Sequence, residues 1–253
     1  MDARLTMETL GAGMPAEFVV PARMADRVER LPFTIRAVSD HERLQKAVSV
    51  RYRAYGRHVP GLAELLRAPE PNDTAAGCVV LLAESRLDGE PLGTMRIQTN
   101  RFRPLAIEAS ATLPAHLAGC TLAEATRLAV TQERTGRLVK TMLFKAFWMY
   151  CAEEGIDWMV IGARSPLDRM YAGLLFSDLF PGEPPVALKH AGDLPHRILG
   201  FEVDTAEERW QAARHPLFDL FVHTRHPDIR IDVEPSPTRV TARATERHAA
   251  LAA

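Results

Sequence analysis

Apolar and polar positions change period several times along the chain, and the changes predict its elements. Phe33-Thr-Ile-Arg-Ala-Val38 alternates in part and is rich in β-formers, which predicts a strand. Ser39 with Glu42 three residues later forms a capping box, and Leu44, Ala47, Val48 and Tyr55 then recur at helical spacing until Pro60-Gly61. A short helix is expected over residues 62–67, followed by the turn-rich loop Pro69-Glu-Pro-Asn-Asp73. The apolar run 78–83 suits a strand buried on both faces, Asp88-Gly89 signals a hairpin, and 92–99 is the returning strand. A further strand is expected over Leu122–Val130. A long helix follows over 138–151, striped by Val139, Leu143, Ala146, Phe147 and Tyr150.

Trp158–Ala163 reads as the next buried strand, and Ser165-Pro166 as the cap and first turn of a helix carrying Met170, Tyr171, Leu174 and Leu175. Segments 186–190, 197–203 and 218–223 supply late strand or helix. Residues 1–31 show no sustained period and read as an N-terminal extension with a short helix around 22–30. A domain over 32–233 follows, and the Pro, Ser, Thr, Ala and Arg of 234–253 mark a disordered tail. No internal repeat is visible. Three consecutive strands followed by two helical crossovers make an α/β (α+β) arrangement with a mixed sheet and flanking helices.

Composition narrows the partners. A formal net charge of −1 argues against bulk capture of nucleic acid. Cys78, Cys120 and Cys151 stand far apart and form no metal-ligand pair, so free thiols in a reducing compartment are expected. No apolar run reaches the roughly 18–20 residues that span a bilayer, and no leader pattern opens the chain. A cytoplasmic protein without an integral membrane segment, a metal or a nucleic-acid partner is the expectation.

The densest ionisable residues on predicted strands are Arg96 in Gly93-Thr-Met-Arg-Ile97, with Glu124 and Arg127 in Leu122-Ala-Glu-Ala-Thr-Arg-Leu128. Strand alternation points Glu124 and Thr126 one way and Arg127 the other unless a bulge intervenes. Charges in apolar strands are costly to bury alone, so an ion-pair network bracing the sheet and a catalytic role stand side by side. The nine histidines, His190 and His196 among them, form no helical metal pair, and no Gly-x-Ser-x-Gly elbow is present. Gln132-Glu-Arg-Thr-Gly-Arg137 offers backbone N–H groups and cations to a phosphate, or is an ordinary solvated turn.

From about Phe33 to Phe201 the chain resembles the acyl-homoserine lactone synthases and N-acyl amino acid synthases, a branch of the GNAT superfamily. Arg51 with Tyr55 resembles the branch's Arg-x-x-x-aromatic pair, and Glu70 with Asp73 its paired acids. Arg96 matches its strand arginine. Glu124-Ala-Thr-Arg127 matches its Glu-x-Ser-Arg signature, with Thr126 in place of serine. The resemblance implies a GNAT fold, a mixed sheet splayed into a V between Leu122–Val130 and Trp158–Ala163 with a thioester arm in the gap. Two features depart from the pattern. No tryptophan follows shortly after Tyr55, and Gly136 is the only glycine of the expected pyrophosphate loop. These departures favour an amino acid or another amine as acceptor over S-adenosylmethionine, and leave acyl carrier protein and coenzyme A both open as donor carriers.

The implied chemistry is attack of a neutral amine on a thioester, transferring a long-chain acyl group with no tightly bound cofactor. It needs proximity, removal of a proton and stabilisation of an oxyanion. On the resemblance, Glu124 is the base, strand N–H groups near 127–129 meet the oxyanion, and Arg51, Arg96 and Arg127 neutralise Glu70, Asp73 and Glu124. The phosphopantetheine arm would pass Val130, Gln132, Arg134, Gly136, Arg137 and Lys140, the last of which with Arg134 and Arg137 would meet an acidic acyl carrier protein. Met142, Phe144, Phe147 and Trp148 read as core, with an acyl channel as the alternative. A conventional acetyl-CoA N-acetyltransferase and a non-catalytic binding module are the rival readings.

Overall fold

The computed structural model describes residues 27–132 and 135–231. The expected tail and most of the expected extension lie outside the described residues. Residues 27–31 are tied into the fold, and no helix reaches them. β1 (Arg27–Val28) pairs in parallel with a late strand at Thr224–Arg225, and the Leu31 N–H donates to Asp228 Oδ2 at 3.0 Å.

The strand expected from Phe33 is β2 (Phe33–Ala37), with Phe33 and Ile35 wholly buried on one face. The helix after it, α1 (His41–Gly56), is capped by Asp40 rather than Ser39, because the Asp40 carboxylate accepts the Arg43 N–H at 2.8 Å. α2 (Pro60–Leu65) starts two residues earlier than expected, with Pro60 at a first-turn position that needs no N–H. A 3₁₀ turn at Pro71–Asp73 leads into β3 (Cys78–Ser85) and β4 (Pro91–Thr99), whose hairpin places Gly89 at φ +73°, a conformation open to glycine. β5 (Leu122–Val130) and β6 (Trp158–Ala163) flank α3, which runs from Thr135 to Glu154 and so extends beyond the expected stripe at both ends.

α4 (Leu167–Gly173) has no side-chain cap from Ser165, and it ends before Leu174 and Leu175, the latter turned at φ +70°. Short strands β7 (Ser177–Asp178) and β8 (Val186–Leu188) lead to β9 (Leu194–Glu202). α5 (Ala206–Ala212) was not legible from periodicity. It buries Trp210 completely, stacked on Phe201 at 5.5 Å with its indole N–H on the Leu174 carbonyl. A π-helical turn at Asp219–His223 precedes β10 (Thr224–Arg225) and β11 (Ile229–Arg230).

The main sheet has the strand order β11-β2-β3-β4-β5-β6-β9-β7, with β8 also against β9. β2 to β5 are antiparallel neighbours, β5 and β6 are parallel, and β6 and β9 are antiparallel. The main core packs α3 against one face, through Val139, Met142, Leu143, Ala146 and Phe147. On the other face Leu44 and Ala47 of α1 cover Val80 and Leu82. Met142, Phe144 and Phe147, read as core with a channel as alternative, sit inside that core, Phe144 ringed by Tyr171, Phe176 and Phe221.

Candidate active site

The site begins where the sheet opens. β5 and β6 pair from Leu122–Trp158 to Ala125–Ile161 and no further, so the edge of residues 126–130 facing β6 has no strand partner among the described residues. The expected splay is therefore present. It coincides with a bulge, since pairing of β4 with β5 shifts between Thr94 and Arg96 and Arg127 has φ +57°. A non-glycine residue in that region is held there by its surroundings, and here the bulge overrides strand alternation. Arg127 turns to the same carboxylate that Arg96 reaches, although alternation alone would separate them.

That carboxylate is Glu70. Arg127 grips it through Nε and Nη2, both at 2.6 Å, and Arg96 Nη1 reaches it at 3.0 Å. Arg96 Nη1 also meets Asp73 at 3.2 Å, and its Nε donates to Thr126 at 3.1 Å. Arg51 places Nη1 at 2.7 Å and 2.8 Å from the two Asp73 oxygens, and Asp73 accepts the Glu70 N–H at 2.8 Å. Burial would raise the Glu70 carboxyl, but the bonds and charges of Arg127, then Arg96 and Arg51, outweigh it and hold it down at about 2. Three guanidiniums thus face two carboxylates, and buried Nε and Nη2 of Arg51 have no hydrogen-bond partner among the described residues.

Glu124 stands apart from this network, which corrects the expectation that the arginines neutralise it directly. It is 0% exposed. Its Oε2 accepts the Ile107 N–H at 3.1 Å, while its Oε1 has no hydrogen-bond partner among the described residues and faces His190 Nε2 at 3.5 Å. Burial dominates, and the N–H groups of Ile107 and Ala106 and the charges of Arg96 and Arg127 recover only part of the cost. The carboxyl is pushed up to about 7, where an arginine-paired acid would have been lowered. Tyr55, one turn from Arg51 on α1, lies within electrostatic reach of Arg127 and of Tyr171.

On the far side of the opening, a cavity of about 250 Å³ is lined by Val50, Arg53, Arg57, Val130, Thr131 and Gln132. Val130 and Gln132 were expected along a donor arm. Arg53 and Arg57 were not, and Arg57 Nη2 donates to the Val130 carbonyl at 3.3 Å. Their signal was present as a basic i,i+4 pair, Arg53 in the last turn of α1 and Arg57 at its C-cap. Gly136 packs the start of α3 on the end of β5, since a Cβ there would stand 2.2 Å from the Thr131 carbonyl oxygen. Arg137 is exposed and Lys140 half-buried on the first turns of α3, while Arg134 lies outside the described residues. The structure therefore groups Arg51, Glu70, Asp73, Arg96 and Arg127 in one network, sets Glu124 beside it, and places Val130 and Gln132 at the end of β5, with Gly136, Arg137 and Lys140 on the first turns of α3. No described helix is long and apolar enough to cross a membrane.

A sequence model of the family described as N-acyl amino acid synthase FeeM matches residues 46–186, which include every member of the arginine–carboxylate network and Glu124. Among solved structures, FeeM, an N-acyl amino acid synthase from uncultured soil microbes, superposes with a TM-score of 0.56 at 16% identity, covering 72% of this chain and 96% of that one. A CoA-dependent acyl-homoserine lactone synthase, BjaI, solved with SAM and isopentyl-CoA, has a TM-score of 0.50 at 17% identity, covering 79% and 96%. An acetyltransferase of the GNAT family from Staphylococcus aureus follows with a TM-score of 0.47 at 13% identity, covering 68% of this chain and 99% of its own. A comparison with curated proteins finds no match. The fold is that of the FeeM and BjaI structures.

Proposed function

The chain belongs to the N-acyl amino acid synthase FeeM family and is an N-acyltransferase, and from that premise we propose that it moves a long-chain acyl group from a thioester to the α-amine of an amino acid, with Glu124 as base. The observation that carries the roles is a fully buried carboxyl held at about 7 beside the point where the sheet opens. A base that titrates near the working pH combines an available ionised form with useful driving force. The amine nitrogen attacks the thioester carbonyl, a C–N bond forms, and an amine proton passes to Glu124 Oε1, directly or through one water. The unpaired N–H groups along 126–130 supply donors to the oxyanion. The C–S bond then breaks, and the thiolate takes up a proton as it leaves.

The arginine network supports an acceptor that carries a carboxylate. Arg51, Arg96 and Arg127 against Glu70 and Asp73 leave one formal positive charge in a site where screening is weak. The donor thioester fits along Val130 and Gln132 with its phosphate toward Arg53, Arg57 and the start of α3, where backbone N–H groups and the helix dipole favour an anion. An acyl carrier protein, acidic on its docking face, would meet Arg137 and Lys140.

Incubation of the protein with acyl carrier protein, long-chain acyl-CoA or acetyl-CoA thioesters and a panel of amino acids, followed by mass spectrometry, tests the reading. N-acyl amino acids are the expected product. Transfer of acetyl alone would make the protein a conventional acetyltransferase, and a folded protein that transfers nothing would overturn catalysis.

The donor carrier has its own test. Charge reversal at both Arg137 and Lys140 is expected to raise the KM for an acyl carrier protein thioester about tenfold, with a weaker salt dependence, because rim charges act mainly on association. The KM for a small thioester analogue should stay unchanged. Equal losses with both donors would assign these residues to the fold instead.

A further inference from the structure

The Glu124 carboxylate is enclosed on three sides by groups from different elements. The turn at Ala106–Ala109 supplies the Ile107 N–H to Oε2, β4 contributes the nearby charge of Arg96, and β5 that of Arg127. The fourth neighbour comes from a 3₁₀ turn at Lys189–Ala191, directly after β8. There the His190 side chain is 17% exposed and its Nε2 stands 3.5 Å from Glu124 Oε1. Glu124 Oε1 and His190 Nδ1 are both buried without a hydrogen-bond partner among the described residues. Two orphaned polar atoms in one pocket are costly unless something satisfies them in a working state.

We propose that His190 is the positioning residue of the base: its Nε2–H donates to Glu124 Oε1 when the carboxylate is ionised, fixing that oxygen toward the acceptor amine. This deepens the proposed function and rests on Glu124 being the base. A neutral imidazole carries one N–H, so donation through Nε2 leaves Nδ1 a bare acceptor, which is the cheaper atom to leave unpartnered. At 3.5 Å the contact is long, and closing it by about half an ångström brings it into ordinary N–H···O range. The imidazole itself stays neutral. Burial, then Arg127, His196 of β9 and Arg96, push it down to about 4, against a small opposing effect of the Ala106 backbone. A neutral donor is what the role requires, since a permanently charged histidine would keep Glu124 ionised and far too weak a base.

The two ends of the proposal are tested separately. In the full-length protein without donor or acceptor, the ¹⁵N shifts of the His190 ring are expected to inflect near pH 7, moving toward the Nε2–H tautomer as Glu124 ionises. That inflection should vanish in Glu124→Gln. This readout stands whether or not acyl transfer is detected, so a failed function assay and a failed contact are distinguishable. In turnover, His190→Leu is expected to lower kcat about ten- to hundred-fold, the worth of one hydrogen bond to a charged acceptor. It should also move the acidic limb of the kcat profile to higher pH, because the ionised form of Glu124 loses a donor. His190→Gln, whose amide N–H falls near the position of Nε2, should restore most of the rate and return the limb. A His190 ring blind to pH 7 would overturn the proposal, and so would Leu and Gln variants that lose equal activity with the limb unmoved.

Discussion

Replacing Glu124 with glutamine is expected to lower kcat by roughly two to four orders of magnitude in a protein that still folds, the usual yield of a positioned general base. Glutamine keeps the size and the acceptor for the Ile107 N–H, and removes only the ability to take a proton. The companion effect on stability separates a base from a brace. Glu124 has a folded pKa of about 7 against an ordinary 4.5. The protonated carboxyl is comfortable in the fold, and ionising it there is not. Its favourable contribution is therefore complete below about pH 4.5 and declines as pH rises through 7, by about 3 kcal/mol in all. Glutamine cannot ionise and escapes that loss. Melting curves at pH 4.5 and pH 8 should show the variant gaining on the parent protein as pH rises. A variant that is less stable by a constant amount at both pH values, with its specific activity intact, would place Glu124 among the sheet's structural ion pairs.

The sequence carried the fold through periods and the network through charge, and each signal failed where a different force took over. Strand Trp158–Ala163 was readable to the residue because a run free of charges, bounded by Asp157 and Arg164, admits few registers; Leu122–Val130 was readable too, although Glu124 and Arg127 interrupt its apolar positions. α5 was not, since its seven residues bury only Ala206 and Trp210, too few to show a helical period. Ser39 lost the cap to Asp40 by one position, a difference set by which side chain reaches the Arg43 N–H. Within the site, the mutual need of Arg51, Arg96, Arg127, Glu70 and Asp73 was legible as charge that had to be paired. Which carboxylate would be left outside was not. That was settled by the bulge at Arg127, which sends its guanidinium to Glu70, and a positive φ at an arginine leaves no mark in sequence. His190 was weighed among the nine histidines as a metal ligand and given no other role, for a related reason. It lies 66 residues from Glu124 along the chain (190 against 124), and only the packing of the turn after β8 over β5 brings them together.

Asp73→Asn is expected to cost about 3–5 kcal/mol of folding stability, the largest structural effect in the site, because it strands buried cations. Asp73 has a side chain 0% exposed, and it is the shared partner of Arg51 and Arg96, each 1% exposed. Arg51 depends on it most. Burial lowers its proton affinity, the charge and hydrogen bonds of Asp73 restore part of it, and Asp73 holds both of its bonded contacts through Nη1. Arg96 keeps Glu70 and Thr126, so the loss there is smaller. The Glu70 N–H also loses its charged acceptor, which loosens the turn that presents Glu70 to Arg127. Urea denaturation should therefore show a lower midpoint with an unchanged slope, since the surface exposed on unfolding is the same. The double variant Arg51→Met with Asp73→Asn decides whether the loss comes from an orphaned charge or from geometry. Removing the stranded cation along with its partner should recover a large part of the stability, so the double variant should be more stable than Asp73→Asn alone. If Arg51→Met instead adds its own full cost to that of Asp73→Asn, the pair does not couple, and the packing of the Pro71–Asp73 turn is what holds this corner of the site.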